Sequence, residues 1–246
     1  FSTPGFWLGK YEVTQAEWVT VMGKNPSVHD GRKPGSPSNQ VSGMDTSRFP
    51  VEDITWDDVQ QYIKAPHAPA GGHELFGTQG RFAVPTEDEW EYACRGGRGN
   101  ADPFYFGKVL NGRQANCDGK MPYGKTIPGP SLGRPTVVGS YAREYPHPWG
   151  LCDMHGNVWE FCDSNRPRGA GTRVVRGGCW SRAADCRAAN RNFFGPDTNH
   201  YENLGLRVCF RPGRLPPLKP DGQGFVPLFN GKDLTGWGTS GKDTWK

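Results

Sequence analysis

The sequence predicts an α+β domain in which short helices and strands are joined by long ordered loops. Its 246 residues include 35 glycines and 22 prolines, a fraction that is typical of disorder only where no hydrophobic pattern accompanies it. Here 9 tryptophans, 8 tyrosines and 13 phenylalanines are spread along the chain, too many aromatic residues for a disordered segment. A helix-start signal that recurs three times completes the prediction.

The helix signal is a threonine placed three residues before a carboxylic acid. In this capping-box spacing the threonine hydroxyl accepts a hydrogen bond from an unpaired backbone N–H, and the acid bonds back to the cap residue. The threonine–acid pairs are Thr14–Glu17, Thr55–Asp58 and Thr86–Glu89. They predict helices over residues 15–22, 56–64 and 87–94, with Gly23 and Gly96 ending the first and the third.

Strand signals follow later in the chain. Alternating or aromatic-rich stretches predict strands over residues 156–161, 173–177 and 204–210. Residues 96–150 carry dense glycine and proline punctuation without a helical period, which predicts a long ordered loop region. A loop of this length in a compact domain is usually functional or held in place by a ligand.

Composition divides the chain into one dominant domain and a short remainder. Residues 1–212 form the predicted domain, residues 213–223 are a Pro-rich linker, and residues 224–246 are too short to bury a core of their own. The net charge of +4 comes from scattered Lys and Arg, which disfavours a nucleic-acid partner. No run of 18 apolar residues is present, so no membrane span is predicted. A secretory signal is either absent or already removed.

Seven cysteines without a CxxC pair give no readable zinc or thioredoxin-like site. They indicate a mixture of one to three disulfides and buried thiols, with at least one thiol unpaired within the chain. Such a cysteine count mildly favours an exported compartment, that is, the periplasm, the cell surface or the medium.

Seven segments, in order, resemble the formylglycine-generating enzyme, or sulfatase-modifying factor, family. The segments are GFWLGKYEVTQAEW (5–18), RFPVEDITWDD (48–58), VPTEDEWEYACRGG (84–97), WGLCDMHGNVWEF (149–161), RVVRGGCW (173–180), CRAANR (186–191) and NLGLRV (203–208). The resemblance implies a fold related to C-type lectins, with a small mixed sheet. Family members usually begin with a further upstream strand, so we expect a piece of a longer protein. Residues 225–237 resemble the first strand of a 3-keto-disaccharide hydrolase-like jelly roll, although an unrelated tail is an alternative.

The resemblance implies a structural calcium site. Asp153 and Glu160 would give carboxylate oxygens, and Gly156 and Val158 would give main-chain carbonyls. This mixture suits Ca²⁺, which takes six to eight oxygen ligands. The alternative is a turn with a solvated Asp153 and a Glu160 paired to an arginine. A second family site would begin at Asn116 and Cys117, but its later carboxylate falls near Pro130 unless Asp118 replaces it.

The family's catalytic chemistry depends on two cysteines that bind Cu(I) and oxidise a substrate cysteine with O₂. Soft thiolates select Cu(I). Arg182 stands where the first copper cysteine is expected, Cys186 lies near the second, and Cys179 replaces a serine. Three interpretations of Cys179 and Cys186 stay open, namely a displaced two-thiolate copper site, a disulfide, or two inert thiols. The resemblance also implies a disulfide between Cys94 and Cys209.

Four further residues match the family's pocket: Trp159, Arg187, Arg191 and Asn203. An aromatic ring beside two arginines and an amide could hold a peptide or a sugar. Equally, the tryptophan could belong to the core and the arginines could bind loop carbonyls. The six histidines show no metal-ligand spacing.

The sequence therefore favours a non-catalytic, calcium-stabilised module that binds protein or carbohydrate within a larger exported protein. The alternative is a copper- and oxygen-dependent oxidase that converts a substrate cysteine to formylglycine. Other domains of the same longer chain are the expected neighbours of this module.

Overall fold

The computed structural model of the protein describes residues 5–33, 40–65, 74–75, 78–97, 99–165, 172–195 and 198–212. The predicted linker and tail, residues 213–246, lie outside these ranges. No helix in the described ranges combines the length and the hydropathy that a bilayer span requires.

Three α-helices in the described ranges begin where the capping boxes predict them. Helix α1 covers Gln15–Met22, α2 covers Trp56–Lys64 and α3 covers Glu87–Cys94. At each start, both reciprocal bonds of the capping box are present. Gly23 ends α1 with a φ of 76°, and Gly96 follows α3 with a φ of 67°. Both glycines thus adopt the left-handed conformation that closes a helix, and the three predicted helices are confirmed.

The strands of the described ranges form two four-stranded sheets. The strands are β1 (Trp7–Leu8), β2 (Glu74–Leu75), β3 (Thr78–Ala83), β4 (Trp159–Asn165), β5 (Arg173–Arg176), β6 (Asn192–Phe194), β7 (Leu204–Gly205) and β8 (Cys209–Pro212). The first sheet has the order β1-β8-β3-β2 and the second β6-β5-β4-β7. Neighbouring strands are antiparallel except β4 and β7, which are parallel.

Two of the three predicted strands are corrected by the structure. The strand predicted at 156–161 begins only at Trp159, because residues 156–158 form a turn with positive φ angles at its first two positions. The strand predicted at 204–210 is split between the two sheets as β7 and β8. Its middle segment bonds instead to residues 9–13, through Gly9 N–H to Val208 O and Val13 N–H to Leu206 O. The strand predicted at 173–177 is confirmed as β5.

The largest buried cluster packs α1 and α2 against the second sheet. Trp18 of α1 stacks on Tyr62 of α2 with ring centroids 4.9 Å apart, and Trp56 of α2 meets Phe161 of β4 edge-on at 5.6 Å. A second cluster forms around Trp90 on the inner face of α3. These two cores place the start of β4 at the centre of the molecule.

The long loop has a hydrophobic anchor of its own. No helix or strand falls among the described residues between α3 and β4, as predicted. Phe104, Leu110 and Cys117 of this region nevertheless form a third buried cluster with Ala183 and Cys186. Both Ala183 and Cys186 belong to a short 3₁₀ helix, Ala183–Cys186. Burial of apolar side chains therefore contributes to ordering the loop.

The ring of His155 lies inside this anchor. Its Nδ1–H donates to the carbonyl oxygen of Cys186 at 2.6 Å, and its Nε2 accepts from the backbone N–H of Tyr105 at 3.1 Å. Phe104 packs edge-on against the same ring at 5.2 Å. Burial lowers the pKa of His155 to about 3, so the imidazole is neutral and holds one tautomer.

Candidate functional site

The block at residues 153–160 forms a tight turn that leads into β4. Asp153, Gly156 and Asn157 have φ angles of 57°, 85° and 66°. A Cβ at Gly156 would lie 2.1 Å from the carbonyl oxygen of Asn116, so only glycine permits this approach. Asn157 N–H donates to the same oxygen at 2.9 Å. The turn is therefore fixed against the long loop by main-chain contacts.

A fully buried ion pair, Glu160–Arg207, lies at the base of the turn. Nε and Nη2 of Arg207 donate to the two carboxylate oxygens at 2.7–3.1 Å, and the indole N–H of Trp90 donates to Oε2 at 2.6 Å. The other guanidinium N–H bonds go to the carbonyl oxygens of Gly9, Lys10 and Cys152. Burial opposes the charge of Arg207, but the attraction and hydrogen bonds of Glu160, together with the attraction of Glu12 and Asp153, outweigh it and raise the pKa of Arg207.

Two more carboxylates lie near this pair, a buried one on Glu12 and a half-buried one on Asp153. Glu12 is 1% exposed and accepts from Asn157 Nδ2 at 2.7 Å and from Val158 N–H at 3.2 Å. Burial, followed by repulsion from Asp153 and Glu160, raises the pKa of Glu12 well above its ordinary value. Burial likewise raises the pKa of Asp153 to about 6, although the bond from Gly139 N–H opposes the shift. We call Glu12, Asp153, Glu160 and Arg207 the charge centre.

The charge centre decides which residues could hold calcium. Each oxygen of Glu160 already accepts two hydrogen bonds, so this side chain shows the arginine pairing that was the alternative to metal ligation. Asp153 and Glu12 keep lone pairs that accept no hydrogen bond. The charge centre contains three carboxylates and one guanidinium, so its acidic groups outnumber its basic group. A cavity of about 10 Å³ adjoins Asp153. These carboxylates fit an oxygen-seeking cation, although no three His, Cys, Asp or Glu side chains of the described ranges converge into a metal site.

The second implied calcium site offers a single side-chain ligand. Asn116 Oδ1 is buried without a hydrogen-bond partner, whereas its Nδ2 donates to Arg134 O and to Asn157 Oδ1. The thiol of Cys117 is buried, which raises its pKa to about 12. The carboxylate of Asp118 accepts from Lys120 N–H at 3.1 Å. Asn116 Oδ1, which has no hydrogen-bond partner, is therefore the one side-chain atom here that fits the role of a cation ligand.

Cys179 and Cys186 are both buried thiols. Cys186 Sγ donates to the carbonyl oxygens of Cys179 at 3.6 Å and Arg182 at 3.3 Å. Cys179 Sγ lies 3.0 Å from Ser181 Oγ and accepts from Asn203 Nδ2 at 3.5 Å. Burial raises the pKa of both thiols, so the protonated form predominates at neutral pH.

The implied disulfide between Cys94 and Cys209 is wrong. All seven cysteines are free and buried. Cys94 lies on α3, where its thiol donates to the carbonyl oxygen of Met154 at 3.6 Å and contacts the ring of His155. Cys209 starts β8 and pairs across the first sheet with Leu8. The two thiols are thus not bonded to each other.

The four implied pocket residues do not form one pocket. Trp159 is 2% exposed and belongs to the largest core cluster, and its N–H donates to Asn203 O at 2.8 Å. Arg187 donates to the carbonyl oxygen of Ala184 and lies over the ring of Tyr123. Arg191 instead pairs with Glu87 at the start of α3. The structure joins Trp159 to Asn203 and places each arginine elsewhere.

Sequence reasoning missed an aromatic surface beside Asn203. Trp180, Phe194 and Tyr201 are half-buried and pack on the largest core cluster. Phe194 stacks on Tyr201 with centroids 4.6 Å apart and meets Trp159 at 5.8 Å. We call Trp180, Phe194, Tyr201 and Asn203 the aromatic face. No periodic signal marks it, because its members come from the segment after β5, from β6 and from the segment before β7.

The short capped helices, the two small sheets and the long loops define a fold of the formylglycine-generating-enzyme and C-type-lectin type. The family described as Sulfatase-modifying factor enzyme 1-like domain matches residues 1–212. The chain belongs to this family.

Relatives within the family differ in activity. The chain is 30% identical over 192 residues to the inactive C-alpha-formylglycine-generating enzyme 2 of Mus musculus, covering 74% of the chain and 55% of that protein. It is 29% identical over 214 residues to the formylglycine-generating enzyme of Streptomyces coelicolor, covering 78% and 60%. The chain thus spans little more than half the length of these relatives.

A solved structure supports the same fold. Treponema denticola variable protein 1 superposes with a TM-score of 0.62 at 23% sequence identity, covering 84% of each chain. At this identity the likeness concerns the fold alone.

Proposed function

We propose that this domain is a non-catalytic binding module and not an oxidase. The observation that carries the proposal is the burial of Cys179 and Cys186, whose thiols bond to neighbouring groups and have raised pKa values. A two-thiolate Cu(I) site needs both sulfurs directed at one ion, whereas Cys186 Sγ donates to two main-chain carbonyl oxygens and Cys179 Sγ accepts from Asn203 Nδ2. Arg182, at the position of the first copper cysteine, is exposed. The murine relative's name, an inactive enzyme, provides a precedent for lost activity.

The proposed ligand is a protein or a carbohydrate that contacts the aromatic face. Half-buried rings such as Trp180 and Tyr201 keep an open surface for stacking on an apolar group or a sugar. Asn203 adds an amide beside them, although its Nδ2 already donates to Cys179. An amide among aromatic rings supplies orientation as well as contact area.

We further propose that calcium stabilises the turn that precedes β4. Asp153 and the carbonyls of Gly156 and Val158 would hold the ion, with Glu12 as a neighbouring countercharge. When bound, Ca²⁺ would offset the excess negative charge of the charge centre. The resemblance, the adjoining cavity and the unused lone pairs of both carboxylates support this assignment.

The same proposal places the module in a larger exported protein that is periplasmic, surface-bound or secreted. Support comes from the sugar-active resemblance of residues 225–237, which also makes further domains the expected neighbours.

Catalysis is tested with a cysteine-containing substrate peptide, Cu(I) and air, and an aldehyde probe reports formylglycine. We expect no aldehyde and no stoichiometric Cu(I) binding to Cys179 and Cys186 in thiol titrations of the native protein. Aldehyde formation that Cys186→Ser abolishes would establish the oxidase instead.

Binding is tested with glycan and peptide arrays. Trp180→Ala should remove the signals that the wild type gives. The matched control is Trp149→Ala, because Trp149 is also half-buried but packs on the second cluster. Equal loss in both variants would place the ligand elsewhere.

Calcium is tested by thermal unfolding with and without a chelator. Calcium at a thousandfold excess over its Kd stabilises by about 4 kcal/mol, so chelation should lower the Tm by several degrees. Asp153→Asn should abolish this dependence, whereas the control Asp163→Asn, on an exposed residue of β4, should retain it. A wild-type Tm that chelation leaves unchanged would refute the calcium assignment.

A further inference from the structure

One stretch of the long loop concentrates both charge and exposed apolar surface. Residues 108–137 contain five Lys or Arg residues and one Asp. The net charge of this stretch is +4, which equals the net charge of the whole chain. The positive and negative charges of all other residues therefore cancel, although Lys and Arg occur throughout the chain. Four of the five exposed large hydrophobic residues in the described ranges also lie here. They are Met121 (74% exposed), Ile127 (70%), Leu132 (41%) and Val137 (38%).

The two most exposed residues belong to a closed loop, residues 119–129. Gly119 N–H donates to Pro130 O at 3.0 Å, and Gly129 N–H donates to Gly119 O at 2.8 Å. A Cβ on either glycine would lie 2.1 Å from Asn111 O, so the loop is packed tightly at its neck.

The interior of this loop is held by contacts that leave its apolar side chains free. Tyr123 forms a bridge with Leu110, and its ring packs edge-on against Phe104 at 5.5 Å. Asn111 Nδ2 donates to the carbonyl oxygen of Ile127 at 2.9 Å. Main-chain hydrogen bonds and the inward-facing ring of Tyr123 order the loop. The exposed side chains of Met121 and Ile127 are therefore not needed for its folding.

We propose that residues 119–129 dock the protein on an anionic phospholipid bilayer. Met121 and Ile127 enter the interface between headgroups and acyl chains, where burial of apolar surface is favourable. Lys120 and Lys125 flank them, and both are exposed. Long lysine stems reach the headgroups while the apolar residues insert, and each lysine near an anionic surface adds attraction.

The same features favour a bilayer over a nucleic acid. Binding of single strands uses aromatic rings on which bases stack, but the aromatic residue of this loop, Tyr123, faces inward onto Phe104. The exposed apolar groups are aliphatic. A bilayer interface offers apolar surface to such aliphatic side chains, whereas a duplex backbone is charged and offers none.

The test is flotation of the full chain with vesicles of phosphatidylcholine containing about one-third phosphatidylserine. We expect binding that falls with added salt and is absent from pure phosphatidylcholine. Met121→Ser with Ile127→Ser should lower the partition coefficient on the order of tenfold or more. Lys120→Gln with Lys125→Gln should lower it by about thirtyfold.

Matched controls are Lys24→Gln with Lys64→Gln, which removes the same charge from exposed positions outside the stretch, and Met44→Ser. Both controls should bind as the wild type does. An environment-sensitive dye on Met121→Cys, selective because the seven native cysteines are buried, should shift to the blue with anionic vesicles. No flotation, an unshifted dye, or binding only to duplex DNA or polyglutamate would overturn the proposal.

Discussion

Arg207 is the residue whose replacement should damage the domain most, because one guanidinium serves three separate parts of the chain. It pairs with Glu160 of β4, and it donates to the carbonyl oxygens of Gly9, Lys10 and Cys152. Arg207→Met keeps the volume but leaves Glu160 buried without its partner.

The expected loss follows from these contacts. Removing one partner of a buried ion pair costs about 3–5 kcal/mol, and each orphaned carbonyl adds to that cost without being strictly additive. We expect Arg207→Met to lose at least about 4 kcal/mol, a large part of the roughly 5–15 kcal/mol by which domains are stable. Arg207→Lys keeps the charge but not the planar fork, so about 2–3 kcal/mol should be lost.

Equilibrium urea unfolding at pH 7, followed by tryptophan fluorescence, measures these losses. The control is Arg191→Met, which breaks the partly exposed pair with Glu87 and should cost at most about 1 kcal/mol. The double variant Arg207→Met with Glu160→Gln should recover more than about 1 kcal/mol of the loss. If Arg207→Met and Arg191→Met cost the same, the charge centre does not stabilise the fold.

Three more predictions concern single positions. Burial lowers the pKa of His147 to about 4. As the pH falls from about 6.5 towards 4, this histidine is therefore protonated in the unfolded state before it is protonated in the folded state. The free energy of unfolding should decrease by up to about 1.4 kcal/mol per pH unit over this range. Urea titrations at several pH values should show a smaller dependence of stability on pH for His147→Asn than for the wild type. The raised pKa values of Glu12 and Asp153 act with the opposite sign, but both proteins contain these residues, so their effect cancels in the difference. Thr86→Ala removes the cap of α3 and should cost about 0.5–2 kcal/mol, whereas Thr20→Ala on the exposed side of α1 should stay within about 0.5 kcal/mol by the same assay. Gly178→Ala and Gly23→Ala share positive φ angles of 72° and 76°, but only the first would place a Cβ 2.7 Å from the backbone of Cys186. Calorimetry should therefore show a clearly larger fall in Tm for Gly178→Ala, and equal falls would contradict the steric argument.

Helices were predictable from this sequence because their start signals are local. A capping box lies within four residues, so Thr86 and Glu89 reveal α3 without knowledge of the fold. Strands such as β1 and β6 span two and three residues, too few for a period. They form because distant segments meet, as when Trp7 pairs with Phe210.

The site shows the same division. The acids of the turn are visible in the sequence, but the partner of Glu160 lies 47 residues away and Glu12 lies about 150 residues away. From sequence alone, a charged residue is predicted to be exposed to solvent. Its burial depends on a partner that only the tertiary structure brings close. The long loop is anchored by Phe104 and Leu110, whose packing on the 3₁₀ helix is also tertiary and leaves no local pattern in the sequence.

The residues of the charge centre, which stabilise the fold, are distinct from those of the proposed binding surface. Glu160 and Arg207 join the turn, β4 and the start of the chain, and none of their contacts involves Cys179 or Cys186. Cys179 instead contacts Asn203 of the aromatic face. A change at Cys179 can therefore alter the proposed binding surface while the charge centre keeps the scaffold intact. If the proposed loss of the two-thiolate chemistry is correct, the fold can persist without it, because the residues that hold the scaffold together are not Cys179 or Cys186.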